Sequence, residues 1–393
     1  MLSYLKIPEI KILEGVRRSG KSTQLYQVIA HAVENGKKVL YVNFDDELLR
    51  RYSLSEIYYA FLQHSTIDYL LIDEIQQCSE WVPFIRKFYD RKELEQIWIT
   101  GSNSSMIKKD YAELLTGRNI KLKISPLSFS EYLKFKEINE FTLPVSKTRE
   151  SQIKKLFTDY LKIGSFPAIA LREVYQRELL NSYFEDFIYK DIATRHDVNT
   201  QKLKDLAIYL TTNSAKTFSY RKIASILGLH PKTVNDYVTY MAEVFLFDEV
   251  YKFDYSLKKQ HTSDKKIYMV DTGLANAVSF RFSEDKVRML ETLVYAQLKR
   301  KGFDVYFHRD KKECDFVIKD GMDITHAIQV TYSLKDPNTR QRELDGLIDA
   351  VKTYQTEKNI ILTLDEEVNE DIKINNKKYT IQIIPAWKWM LIE

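Results

Sequence analysis

Cysteine is scarce: the 393 residues hold only Cys78 and Cys314. Their contexts are unrelated, and neither has a second Cys or a His at metal-ligand spacing, which argues against a disulfide framework and a zinc site. Long apolar runs are missing too. No stretch approaches the roughly 20 residues that a membrane-spanning helix needs, so no membrane partner is expected. The N-terminal run MLSYLKIPEIKILEG lacks the basic region, apolar stretch and small-residue cleavage site of a secretory signal, so a cytoplasmic protein is expected. Neither charge sign dominates. Fifty-nine Lys and Arg against 55 Asp and Glu leave +4, too weak over this length to draw nucleic acid to the whole surface. Internal repeats and low-complexity linkers are absent as well.

What remains is an ordinary globular composition, 44% apolar and 29% charged, which excludes global disorder and a fibrous repeat. A chain this long predicts about two to four domains. Residues 7–125 alternate apolar runs with helical stretches, and strands such as LLIDE, apolar on both faces, predict a parallel sheet covered by helices. From Pro126 to about His196, amphipathic segments rich in aromatics and interrupted by Gly164 and Pro167 predict an all-helical region. The segment that follows, with Leu227-Gly228-Leu229 between two short helices, has the layout of a helix-turn-helix. The tail predicts mixed α/β structure with strands near DVYFHR, CDFVIK, HAIQVTY and NIILTL. The expected division is an α/β P-loop core at 1–125, a helical lid at 126–200, a winged helix at 201–264 and a final α/β domain at 265–393.

Gly15-Val16-Arg17-Arg18-Ser19-Gly20-Lys21-Ser22 fits G-x-x-x-x-G-K-S/T at every fixed position, between an apolar strand and a helix that continues with Thr23. The two glycines let backbone N–H groups close around phosphate oxygens, while Lys21 reaches the β and γ phosphates. Ser22 is the expected magnesium ligand. The strand Leu70-Leu71-Ile72-Asp73-Glu74 supplies the matching acids, Asp73 for magnesium and Glu74 to orient the attacking water. A third strand ends in Thr100-Gly101-Ser102-Asn103, where Ser102 or Asn103 is placed to sense the γ-phosphate, Asn103 being preferred; a plain turn residue is the alternative. Arg118, in Leu114-Leu115-Thr116-Gly117-Arg118, fits either an arginine that neutralises transition-state charge, in cis or across a subunit interface, or an ordinary surface residue. No Asn-Lys-x-Asp run specifies guanine, so ATP with Mg2+ is the expected ligand.

The run GVRRSGKST, the strand LLIDEIQ, the pair TGS and LLTGR and the later PLSFSEYL resemble one family, and YLKIGSFPAIA, YFEDFIYKDI and KIYMVDTGL extend the likeness over nearly the whole chain. It is a group of archaeal and bacterial AAA-type ATPases, related to the STAND class, whose C-terminal half carries a domain of unknown function. The resemblance implies an AAA-like core, a helical lid, a winged helix and a final domain similar to restriction endonucleases. It also implies an arginine-finger role for Arg118.

With Ser219–Leu227 and Pro231–Tyr240 as the two helices of the turn motif, His230, Lys232, Thr233 and Asn235 cluster at the start of the second, where such motifs face a DNA groove. Lys258-Lys259-Gln260-His261 through Lys265-Lys266 is expected to form a basic wing suited to phosphates. A packing or protein-docking role is the alternative. In the tail, Glu291, Asp315 and Gln329 follow the order of the E, D, (E/Q)xK pattern of restriction-like nucleases, but Thr331 stands where the lysine belongs. No substitute is evident unless Lys319 or Lys335 reaches the site, and a degenerate nuclease site is the preferred reading over solvated acids. The expected function is therefore an ATPase whose nucleotide state controls a DNA-interacting C-terminal half. A STAND-type switch for a protein partner and an active magnesium nuclease are the alternatives, and each is compatible with a homo-oligomer.

Overall fold

Short aliphatic runs, apolar on both faces, build the sheet that carries the phosphate-loop motif. In the computed structural model, which describes residues 1–103, 115–279 and 285–392, the chain divides into two compact units, Met1–Pro126 with Glu243–Phe245 and Leu127–Ala242 with Leu246–Glu393. Leu114 of the run preceding Arg118 lies outside the described residues.

The first unit holds β1 (Ile10–Glu14), β2 (Val39–Asn43), β3 (Tyr69–Asp73), β4 (Gln96–Gly101) and β5 (Asn119–Lys123) in the order β2-β3-β4-β1-β5. Every neighbouring pair is parallel. Alternation along β3 explains why a continuous apolar run is needed. Leu70 and Ile72 pack with Tyr58, Ile85 and Phe88 from the helices Leu54–Leu62 and Trp81–Arg91. Leu71 turns the other way, against Trp98 and against Leu25 and Val28 of the helix Lys21–Glu34. Both faces are covered, as parallel sheets require, and truncating a side chain such as Leu71 to Ala costs about 2–5 kcal/mol.

The second unit begins with helices. Phe129 and Tyr132, of the helix Phe129–Phe135, meet Phe157 and Tyr160 of the helix Lys147–Ile163 at ring-centroid distances of 5.0–5.4 Å. The helix Gln176–Glu185 runs into a π-helical turn, Asp186–Ile192, and the helix Thr200–Thr212 follows. Next come β6 (Thr217–Phe218), the helices Tyr220–Leu227 and Pro231–Glu243, β7 (Phe247–Tyr251) and β8 (Lys265–Met269). Gly228, at φ +61°, forms the turn between the two helices. The strands pair antiparallel in the order β6-β8-β7.

The expected basic wing is corrected here. Lys258 and Lys259 are exposed on the short helix Leu257–Thr262, but Lys265 and Lys266 are buried within β8. Strand pairing draws both inward, and Lys265 pairs with Glu249 at 3.3 Å between the rings of Tyr220 and Tyr251.

The final sheet runs β13-β14-β12-β11-β10-β9, from β9 (Asp304–Arg309), β10 (Glu313–Asp320), β11 (Asp323–Val330), β12 (Lys358–Thr363), β13 (Val368–Ile374) and β14 (Lys377–Pro385). It is mixed. The β11-β12 and β12-β14 pairs are parallel and the rest antiparallel, with the helix Pro337–Tyr354 crossing over between β11 and β12. Among the described residues no helix is long and apolar enough to cross a membrane.

Candidate functional site

The loop between β1 and the helix Lys21–Glu34 turns on left-handed backbone. Gly15, Arg18 and Gly20 have φ of +151°, +65° and +103°. Gly15 is confined, since a Cβ there would stand 2.1 Å from the carbonyl oxygen of Ile124, whereas a Cβ on Gly20 would meet nothing within 4 Å. Lys21 opens the helix with its side chain folded back over the loop, donating to the carbonyls of Gly15 and Val16 at 3.0 Å each. It is 4% exposed. Ser19 is buried as well, and its hydroxyl has no hydrogen-bond partner among the described residues. A buried donor left without a partner costs about 1–3 kcal/mol. The loop thus combines a cation, open space at Gly20 and an unmatched hydroxyl, which fits an anionic group. Ser22, the expected metal ligand, is half-buried one residue beyond Lys21, and Thr23 is exposed.

Two strands away, β3 delivers Asp73 and Glu74 at the same end of the sheet. Both oxygens of Asp73 are held. Thr100 donates to Oδ1, and the Tyr41 hydroxyl of β2 donates to Oδ2 at 3.0 Å. Burial, then the neighbouring Tyr26 and Asp73, push the Tyr41 phenol upward, so it remains a donor. Glu74 has left-handed backbone, at φ +53°, which turns it away from the strand. Its N–H donates to Thr100 Oγ1 at 3.1 Å, and its carboxylate accepts from Gln76 and from Ser102 at 3.4 Å. Thr100 therefore fixes both acids at once. Asn103 is buried beside this network, but the hydroxyl that reaches Glu74 is that of Ser102.

Arg118 does not join this cluster within the chain. Its carbonyl accepts from the N–H of Ile10, and Asn119 is level with Ile10 at the start of β1, whereas the phosphate loop follows Glu14, level with Lys123. At about 3.3 Å per residue, roughly 20 Å of strand separates the levels of Arg118 and Gly15, more than an arginine side chain spans. Its guanidinium instead pairs with Asp90 at 2.7 Å.

In the second unit, His230 Nδ1 accepts from the N–H of Lys232 at 3.2 Å at the start of the helix Pro231–Glu243. His230, Lys232 and Asn235 are exposed, Thr233 is half-buried and Val234 faces the core. Arg221 and Lys222 are also exposed on the preceding helix.

Glu291, on the helix Lys286–Arg300, and Asp315, on β10, come together, and Gln329 Oε1 accepts from the N–H of Asp315 at 3.2 Å. Neither Lys319 nor Lys335 takes the place of the missing lysine. Lys319 is turned onto the carbonyl of Gly321, and Lys335 is exposed. The ammonium beside these acids belongs to Lys266 of β8. Sequence reading missed Thr100, Tyr41, Gln76 and Lys266. A weak signal existed for Thr100, which ends an apolar strand as Asp73 does.

Two family models match the chain, an AAA domain over residues 8–133 and a domain of unknown function over residues 154–285. The second match includes Lys266 and stops short of Glu291. The chain is 33% identical to an uncharacterized protein, MJ1544, of Methanocaldococcus jannaschii, the match covering 98% of this chain and 88% of that protein. It is 28% identical to an uncharacterized protein of Haemophilus influenzae, covering 97% and 94%. Among solved structures, AMPPCP-bound DnaA from Aquifex aeolicus overlaps 62% of this chain and 85% of that chain at 17% identity, with a TM-score of 0.29, too slight a likeness to bear on function.

Proposed function

The chain belongs to one family with the Methanocaldococcus jannaschii protein and carries an AAA domain at residues 8–133, and on that ground we propose that it binds and hydrolyses ATP with magnesium. The observation that carries this reading is the pairing of a buried Lys21, folded over its own loop carbonyls, with an Asp73 braced through both oxygens at the same end of the sheet. In this scheme the backbone of Gly15 to Ser22 surrounds the phosphates. Lys21 leaves the carbonyls of Gly15 and Val16 for phosphate oxygens, a charge-assisted contact stronger than the one it gives up. Ser22 and Asp73 hold the magnesium ion, which when bound neutralises phosphate charge. Glu74 orients the attacking water, with Ser102 and Gln76 setting the direction of its carboxylate, and Asn103 completes the polar end of β4. Arg118 is assigned to a neighbouring copy's site in a homo-oligomer, since its own site is out of reach.

The nucleotide state is proposed to control a DNA-interacting second unit. Residues 201–264 are read as a winged helix that presents His230, Lys232, Thr233 and Asn235 to a groove, supported by the exposure of Arg221, Lys222 and Lys232 on its two helices. Residues 265–393 are read as a domain shaped like a restriction endonuclease.

The test is ATP turnover by the full chain with and without single-stranded, duplex and branched DNA. Stimulation by DNA, with affinity falling steeply as salt rises, is the expected result. ATP turnover without DNA binding at low salt would replace the DNA half of the proposal with a switch for a protein partner. Turnover that survives Lys21→Ala would remove the first half.

A further inference from the structure

Lys266 is buried to 1% exposure, yet its Nζ lies 2.9 Å from Glu291 Oε1, 2.9 Å from Glu313 Oε1 and 3.1 Å from Asp315 Oδ1. The three acids come from the helix Lys286–Arg300 and from β10, so one side chain of β8 joins three elements. The ammonium donates to Glu291 and to Asp315, and Glu313 adds a third ion pair. Tyr268, two residues further along β8 and so on the same face, donates to the same oxygen of Glu291 at 2.6 Å. The second oxygen of Asp315 accepts from the N–H of Val330 at 3.0 Å.

We propose that Lys266 is the resident cation of this carboxylate centre, its Nζ standing where a divalent metal between Glu291 and Asp315 would stand, so that the centre clamps two sheets together instead of cleaving phosphodiesters.

Geometry separates this role from a catalytic one. A lysine that supports an attacking water must reach that water beside the metal. Lys266 has almost no exposed surface, and it donates to Glu291 and Asp315 while Glu313 pairs with it by charge. Gln329, the third position of the nuclease-like pattern, is also engaged at both ends, accepting from the Asp315 N–H and donating to Glu343. Among the described residues no group of three or more His, Cys, Asp or Glu side chains is arranged to hold a metal ion. Access is not the obstacle, because a cavity of about 470 Å³ is lined by Glu291, Glu313 and Asp315.

The charge state agrees with this arrangement. Burial opposes the charged form of Lys266, but Glu291, Asp315 and Glu313 outweigh it and hold the ammonium well above the usual lysine range. The carboxylates of the buried Glu291 and Asp315 and the partly exposed Glu313 outnumber one ammonium, and Glu291 is pushed up to about 8 by burial and then by Asp315, which lessens the excess negative charge. A dication brought to the same oxygens would meet a fixed positive charge.

The clamp links β8 of the three-stranded sheet to β10 of the six-stranded one, beside the backbone bond from Phe253 N–H to the Phe307 carbonyl at 2.9 Å. It rests on side chains of the second unit alone and is independent of nucleotide chemistry.

The test is Mn2+ titration of the nucleotide-free full chain, read by electron paramagnetic resonance of the free ion. Wild type and Asp315→Asn are expected to bind the same number of Mn2+ ions. Lys266→Ala is expected to gain one site, with affinity at least tenfold above any residual binding in wild type, and Lys266→Ala/Asp315→Asn to lose it again. A wild-type site that Asp315→Asn removes overturns the proposal, as does a folded Lys266→Ala that gains none. Metal-dependent plasmid cleavage that survives Lys21→Ala and disappears in Lys266→Ala overturns it in favour of a nuclease. Should Lys266→Ala fail to fold, the comparison of wild type with Asp315→Asn decides alone.

Discussion

Ser165 donates to the carboxylate of Asp271 through both its backbone N–H, at 2.6 Å, and its hydroxyl, at 2.7 Å, across 106 residues of sequence. The other oxygen of Asp271 caps the helix Thr272–Val278 through the N–H of Leu274 at 2.8 Å. The approach depends on two glycines. Gly164 has φ +89° and lies against the Asp271 carboxylate, and a Cβ on Gly273 would stand 1.8 Å from the carbonyl oxygen of Ile163. The two runs KIGSFPAIA and MVDTGL, which stand out in the sequence, thus form a packing junction.

The first prediction concerns that junction. Gly273→Ala has no flexible neighbour to displace, only backbone, and is expected to destabilise the second unit by more than about 3 kcal/mol, the upper end of ordinary overpacking. Asp271→Asn weakens the bonds from Ser165, at an expected cost of about 1–3 kcal/mol. Urea unfolding of both variants measures each loss.

The phosphate loop gives a second pair of variants. Lys21→Ala removes the buried ammonium and is expected to abolish nucleotide binding in equilibrium titration. Glu74→Gln keeps the bonding pattern but not the charge. It is expected to bind ATP as wild type does while turnover falls by about 10²–10⁴, the usual contribution of a positioned base.

Thr100 yields a third. Thr100→Val keeps the shape of the side chain but frees Asp73 Oδ1 and leaves the Glu74 N–H unpaired. The magnesium concentration for half-maximal turnover is expected to rise and kcat to fall by about tenfold, equivalent to one lost hydrogen bond of roughly 1.4 kcal/mol. Thr100→Ser, which retains the hydroxyl, is expected to restore most of both.

Glu291 sets a pH dependence. In the folded chain burial, and then Asp315, raise it from the ordinary 4.5 to about 8. The folded state therefore holds a proton that the unfolded chain has already released. The stability from this group is complete below the unfolded value and is lost as pH rises toward the folded one, between about pH 5 and 8. Glu291→Gln has no such proton to lose. Its melting temperature is expected to decline less than that of wild type across this window.

Local motifs were legible because they need only neighbours in sequence. The loop from Gly15 to Ser22 is recognisable from its own glycines, and LLIDE from a strand apolar on both faces. The family and the AAA domain followed from these runs. What was not legible depends on register and on distant pairing. Arg118 reads as a candidate beside the phosphates until the pairing of Asn119 with Ile10 places it at the far end of β5. Lys265 and Lys266 read as exposed wing residues because nothing local announces that β8 is covered on both sides. The partners of Lys266 lie 25 and 49 residues away, at Glu291 and Asp315. The cation that meets those acids comes from another sheet, not from the strand motif.

The confinement of Gly15 has a mechanical meaning. Ile124 donates its N–H to the carbonyl of Glu14 at 2.8 Å, and its own carbonyl occupies the space where Gly15 would carry a side chain. Two residues later, at Pro126, the chain leaves the first unit. The peptide that exits toward the second unit is therefore the same peptide against which the first glycine of the phosphate loop is seated. A side chain at position 15 would therefore have to displace the backbone of Ile124, not a flexible neighbour. The residue that matters beside the phosphate loop is thus fixed by its backbone and not by its side chain, so Ile124 tolerates exchange for another β-branched residue while Gly15 tolerates none.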